Sequence, residues 1–152
     1  MPVLVLSDIH ANLEAFRAVL GDTPPFDAVW FLGDAVGYGP DPDAVVALLA
    51  TLEPEFWLAG NHDDAALGRM PLADFNADAR RAAEWTTGQL GAAARTRLAS
   101  TTSRLDQPER GVTLVHGSPR HPTWEYILGA RIALENFAAF DTPLCFFGHT
   151  HV

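Results

Sequence analysis

Cysteine is nearly missing from this sequence: 152 residues contain one, Cys145, so no intramolecular disulfide can form. It sits in the apolar run Leu144-Cys145-Phe146-Phe147 with no basic neighbour to favour a thiolate, and it reads as a buried core thiol rather than a nucleophile. Basic charge is also scarce. Ten basic residues against 19 acidic ones leave a formal charge of −9, the wrong sign for a broad surface that holds duplex nucleic acid. A small phosphorylated partner stays open, because bound divalent cations can reverse the local charge. No apolar stretch is long enough to span a bilayer, and the N-terminal residues show no basic leader or cleavage signal. The expected setting is therefore a reducing, soluble compartment, most simply the cytoplasm, with no membrane partner.

What is present is alternation. Five short apolar, β-prone runs recur at Pro2 to Leu6, Ala28 to Leu32, Phe56 to Leu58, Val112 to Val115 and Leu144 to Phe147. Each is nearly continuous in hydrophobicity, as strands covered on both faces are. Leu13, Phe16, Val19 and Leu20 follow helical spacing. Asp41-Pro42 offers an N-cap and a first-turn proline before Val45, Val46, Leu48, Leu49 and Leu52. Asn76 to Leu98 reads as one or two surface helices, Ile132 to Phe140 as another, and Ser100 to Gly111 as a connecting loop. Trp30, Trp57 and Trp85 read as packing residues. The pattern predicts an α/β fold with largely parallel strands in one continuous domain over residues 1–152.

The polar residues are not scattered. Each apolar run ends in a polar cluster: Ser7-Asp8-Ile9-His10, Gly33-Asp34, Gly60-Asn61-His62-Asp63, His116-Gly117-Ser118, and Gly148-His149-Thr150-His151. Five of the six histidines lie in these clusters, and only His121 lies elsewhere. One histidine alone is more often structural than functional; five at strand ends, with Asp8, Asp34 and Asn61 beside them, are not explained that way. In open α/β sheets the carboxyl ends of the strands face the ligand crevice. Imidazole nitrogen with carboxylate and amide oxygen suits Mn²⁺, Fe²⁺, Zn²⁺, Co²⁺ or Ni²⁺, and the lack of cysteine argues against a closed structural zinc site. The candidates Asp8, His10, Asp34, Asn61, His62, His116, His149 and His151 are too many for one ion with an open position, so two ions are the economical assignment.

In this order the blocks Asp-x-His, Gly-Asp, Gly-Asn-His-Asp, a lone His and Gly-His-x-His resemble the calcineurin-like metallophosphoesterase superfamily, over essentially the whole chain. Residues 33–40 and 116–120 look like its compact prokaryotic phosphodiesterase branch. The resemblance implies an αββα sandwich and a metal-dependent phosphoesterase acting on phosphodiesters or phosphomonoesters of small phosphates or nucleotides. It implies two divalent cations, Mn²⁺ favoured. One would be held by Asp8, His10 and His151, the other by Asn61, His116 and His149, with Asp34 bridging. His62 would donate a proton to the leaving oxygen or stabilise the transferring phosphoryl group, and a near-neutral pKa would suit it to the first role.

Protein phosphatases of the superfamily carry an Asp-Arg pair where this chain has Gly37-Tyr38, which makes that activity a poor match. Asp63 or a backbone carbonyl is then expected to orient His62, with Arg120 or Tyr38 reaching the substrate. Asp63 and Asp64 could equally cap the next helix. Trp124 and Tyr126 could stack on substrate, although anchoring their loop on the core is the slightly favoured alternative. Family members usually continue for several strands beyond Gly-His-x-His, so the second sheet is expected to be incomplete here, or covered by another subunit or a second copy. The alternative function is a non-catalytic binding scaffold of the same fold, against which the retention of His62 and every ligand argues.

Overall fold

The computed structural model describes residues 1–151. Among them strands and helices alternate as the apolar runs predict, and the strands form two separate sheets. In the first, β1 (Val3–Leu6) and β3 (Phe56–Trp57) flank β2 (Ala28–Phe31), all parallel, with Leu6 opposite Phe31 and Phe31 opposite Trp57. In the second, β5 (Val112–Val115) lies between β4 (Arg104–Gln107), antiparallel, and β6 (Leu144–Phe146), parallel.

β4 corrects the sequence reading, since it occupies a stretch expected to be loop. Its residues Arg-Leu-Asp-Gln carry no hydrophobic run, because only one neighbour pairs with it and its side chains are mostly polar and partly exposed. Charged residues are what an edge strand uses to discourage further pairing. Its antiparallel register also makes the fold less uniformly parallel than expected.

The period of two along β2 divides the core. Val29 and Phe31 point one way and pack with Phe16 of α1 (Leu13–Asp22), Val45, Val46 and Leu49 of α2 (Pro42–Thr51), and Leu98 of α5 (Ala92–Ala99). Trp30 and Leu32 point the other way and meet Val112 and Leu114 of β5 and Phe146 of β6. The first cluster is helix on sheet and the second is sheet on sheet, which gives three layers of the αββα sandwich. α5 thus closes the core rather than lying on the surface. The 76–98 segment resolves into two helices, with α4 (Ala77–Gln89) burying Ala79 and Ala83 against Phe75.

Trp30 and Trp57 are buried, the latter under the Arg97 guanidinium at 4.2 Å, but Trp85 is 44 % exposed and does not pack as expected. Asp41 takes the cap position of α2 without a capping side-chain bond; Asp43 instead accepts from the Gly91 amide at 2.9 Å and ties α2 to the start of α5. Beyond the second sheet, α6 (Ala130–Asn136) and the turn after it border an apolar cleft of about 300 Å³ lined by Phe137, Phe140, Leu144, Cys145 and Phe147. Cys145 is half-buried there rather than sealed in the core, and burial pushes its thiol up to about 11, so it stays protonated at neutral pH. No helix among the described residues is long and apolar enough to cross a membrane.

Leu49 is fully buried between α2 and the first sheet, whereas Val19 on α1 is about half exposed. Leu49→Ala should cost about 2–5 kcal/mol in urea unfolding, and Val19→Ala less than about 0.5 kcal/mol. Equal effects would contradict this placement of the core.

Candidate metal centre

Every polar cluster lands on one end of the sandwich because the loops leaving the strands are laced to one another by main-chain bonds. After β1, the amides of Asp8, His10 and Ala11 donate to the carbonyls of Gly33, Asp34 and Ala35 at 2.9–3.0 Å. After β6, Gly148 N donates to His116 O at 2.9 Å and His149 N to the Asp8 carboxylate at 3.0 Å. These loops turn sharply. Eight non-glycine residues among those described have positive φ, and Asp8, His10, Asp34, Tyr38, His149 and His151 are six of them. Asp tolerates this left-handed region better than most residues, and His also more than average; a tyrosine there is strained.

Asp63 holds the middle of the site. Fully buried, it accepts at one oxygen from the amides of Asp34 and Gly60, both 2.9 Å, and at the other from Val36 N at 3.1 Å. It lies in the first turn of α3 (Asn61–Ala66), so the capping role and the site-supporting role belong to the same carboxylate. Both of its oxygens are used on these amides. It therefore holds the Asp34 loop against the Gly60 turn rather than orienting the His62 ring. Gly60 is required at that turn, because a Cβ there would run into the Asp34 carboxylate.

Three imidazoles are fixed by backbone carbonyls. His10 Nδ1 faces Val36 O at 3.2 Å, His116 Nδ1 faces Leu32 O at 2.9 Å and His149 Nε2 faces Trp124 O at 3.1 Å. A carbonyl can only accept, so each of these ring nitrogens carries a proton and the opposite nitrogen points inward, where a cation could take the place of any proton on it, the arrangement metal-binding histidines use. The inward atoms crowd together. His10 Nε2 lies 3.1 Å from His151 Nε2, which is 3.1 Å from Asp8 Oδ1. His116 Nε2 lies 3.2 Å from Asn61 Oδ1 and 3.3 Å from Asp34 Oδ2. Donors around a cation with bonds of about 2.0–2.1 Å sit about 2.9–3.4 Å apart, so the donor set fits a borderline divalent ion. Asp8, His10 and His151 form one such group; Asp34, His116 and His149 form another, beside Asn61.

The electrostatics point the same way. Burial alone would raise Asp34, but the charge and hydrogen bond of His116, followed by His10 and His62, outweigh it and hold the carboxyl well below its usual range. His116 is the counterpart: burial disfavours its charge, yet Asp34 pulls it up to about 9, so a proton takes the place of a cation there. Burial, then the charge of Asp34, pushes Asp63 up to about 7.

His62 departs from expectation. Burial foremost, then the imidazoles of His10, His116 and His149 against a partial pull from Asp34, lowers it to about 4. Its ring is enclosed by Tyr38, Phe75 and His10 at centroid distances of 4.5–5.1 Å. Nδ1 is buried against Gly37 with no hydrogen-bond partner among the described residues. At neutral pH this is an uncharged imidazole, not the near-neutral acid read from the sequence.

The pocket over these groups, about 240 Å³, is lined by His10, Asp34, Tyr38, His62, Tyr126, His149, Thr150 and His151. Tyr38 is there as expected. Arg120 is not: Glu125 at 2.6 Å and Glu135 hold its guanidinium away from the pocket. Sequence reasoning missed Thr150 and Phe75 behind His62, and for Tyr126 it put anchoring the loop slightly ahead of stacking on substrate. The three carbonyls that orient the histidines carry no side-chain signal at all.

The family model described as calcineurin-like phosphoesterase matches residues 1–152. A crystal structure of a metallophosphoesterase from Sphaerobacter thermophilus is 54 % identical with a TM-score of 0.88, covering 100 % of this chain and 61 % of that one. An uncharacterised protein of Methanocaldococcus jannaschii is 34 % identical over 99 % of this chain and 62 % of its own length. A hypothetical protein from Pyrococcus horikoshii OT3, 19 % identical with a TM-score of 0.72 over 98 % of this chain and 69 % of its own, shares the fold. The chain thus spans about three-fifths of the length of the first two.

Removing the Asp63 carboxylate orphans three buried amides, each worth about 1–3 kcal/mol when left unpaired. Asp63→Ala should lower the unfolding free energy by about 3 kcal/mol or more, measured in chelator so that metal binding does not contribute. An unchanged denaturation midpoint would remove Asp63 from this role.

Proposed function

Because the chain belongs to the calcineurin-like phosphoesterase family, we propose that it is a dinuclear metal-dependent hydrolase of small phosphodiesters. The observation that carries this reading is the position of one atom. Asp34 Oδ2 lies 3.3 Å from His116 Nε2 and 3.7 Å from His10 Nε2, between the two donor groups, so a single carboxylate can serve two ions. Its other oxygen accepts from the His62 amide at 2.9 Å, which fixes the carboxylate plane. Asp8, His10 and His151 would hold one ion and Asn61, His116 and His149 the other. When bound, the pair would supply neutralising charge for the phosphoryl oxygens and a water of lowered pKa.

The chain's own groups then do two things. His62, uncharged and walled off from solvent, offers a ring N–H to an oxygen of the phosphoryl or leaving group. A neutral imidazole can polarise an oxygen in this way without carrying charge itself. The stabilising role for His62 is therefore favoured over full proton donation. The lining also bears on substrate charge. All ten basic residues are arginine and none lines the pocket, whereas Asp34 does. The two ions would supply the positive charge there, and with no arginine beside them to take up the extra charge of a monoester, the diester is favoured.

Bis(p-nitrophenyl) phosphate should be hydrolysed with added Mn²⁺ or a similar ion, and hydrolysis should stop with chelator. His62→Ala should lower kcat by about 10²–10³-fold, the usual loss on removing one transition-state donor, while metal content is kept. Metal uptake with no hydrolysis of any mono-, di- or cyclic phosphate would make the protein a binding scaffold instead.

A further inference from the structure

Both of the chain's tyrosines line this pocket, one from the loop after β2 and one from the loop after β5. Tyr38 comes from the loop after β2 and rests on His62 at 4.5 Å and edge-on to His10 at 4.9 Å. Tyr126 comes from the loop after β5 and stacks on His149 at 4.0 Å, its plane tilted by 23°. Tyr126 has one face on an imidazole and Tyr38 is tilted by 46° to one, yet they remain 43 % and 51 % exposed. Neither position is a default of the fold. Tyr38 is held at φ 58°, a left-handed conformation that a bulky residue adopts only under constraint, and Gly39 N pins its loop to His10 O at 2.9 Å. The Tyr126 loop is held by Glu125, which accepts from Ser118 Oγ at 2.7 Å and Asn136 Nδ2 at 2.8 Å.

Resting on the phosphodiesterase reading above, we propose that Tyr38 and Tyr126 bind a planar ring attached to the phosphate, so that the substrates are nucleoside phosphate esters rather than sugar or polyol phosphates. The cavity of about 240 Å³ falls below the roughly 300–1,000 Å³ of sites that enclose a whole ligand. It admits the phosphate and leaves the next group beside the two half-exposed tyrosine rings. The other hydroxyl in the lining, Thr150, is already turned to Gly148 O, and among the described residues no amide or guanidinium side chain lines the pocket to read a sugar. Stacking needs no such group, because every base offers a π-face.

The test is calorimetric titration of the Mn²⁺-loaded protein with adenosine 5′-monophosphate and with ribose 5-phosphate, which share the phosphate and sugar and differ in the base. The base should tighten binding about 5–150-fold, the range for one stacked base. Tyr38→Leu and Tyr126→Leu should each shrink that ratio at least threefold and the double variant should abolish it, whereas Tyr→Phe at either position should keep it. Equal affinities in the wild type, or a ratio that survives in the double Leu variant, would overturn the inference. A base preference without hydrolysis of any phosphate ester would leave the tyrosine role intact and overturn the phosphoesterase reading. Hydrolysis without a base preference would do the reverse.

Discussion

Three main-chain amides converge on the carboxylate of Asp63, and the shape of the site depends on that junction. It joins the loop after β2 to the turn after β3, brings Asp34 to the centre, and leaves Gly60 no room for a side chain. The cost is two buried acids close together, Asp34 and Asp63, with no arginine lining the pocket to neutralise them. Such a pair persists in a folded core only when hydrogen bonds and positive charge meet it. Amides satisfy Asp63. For Asp34 the positive charge comes from protonated His116 in the free protein, and from cations in the proposed holo state.

The same economy explains why the loops are contorted. Candidate ligands from four separate strand-end loops and the first turn of α3 converge on adjoining donor groups, and Asp8, His10, Asp34, His149 and His151 all take left-handed backbone conformations to reach them. Main-chain bonds between the loops after β1 and β2, and between those after β5 and β6, hold them there. Fold stability from the two sheet cores is thus spent in part on a preformed site, with donor spacings set before any ion arrives.

The sequence showed the site more clearly than the fold that carries it. A continuous apolar run ending in Asp, Asn or His is visible residue by residue, and each candidate ligand lies in one of the structure's donor groups or, for Asn61, beside one. β4 was hidden because an edge strand of Arg-Leu-Asp-Gln has neither a hydrophobic run nor clear alternation. The burial of α5 was hidden because alanines and a single leucine do the packing. Arg120 looked like a phosphate ligand until Glu125 and Glu135, distant from it by up to a helix in sequence, took its guanidinium. The low proton affinity of His62 is not legible in its own sequence neighbourhood, because Phe75 and Tyr38, which strip its solvent, come from other loops.

If Asp34 lies between two cation sites, elemental analysis after equilibrium dialysis should count two Mn²⁺ ions on the wild-type chain and the loss of at least one in Asp34→Asn. A wild-type chain that saturates at a single ion, or an Asp34→Asn chain that still holds two at the same affinity, would contradict that placement.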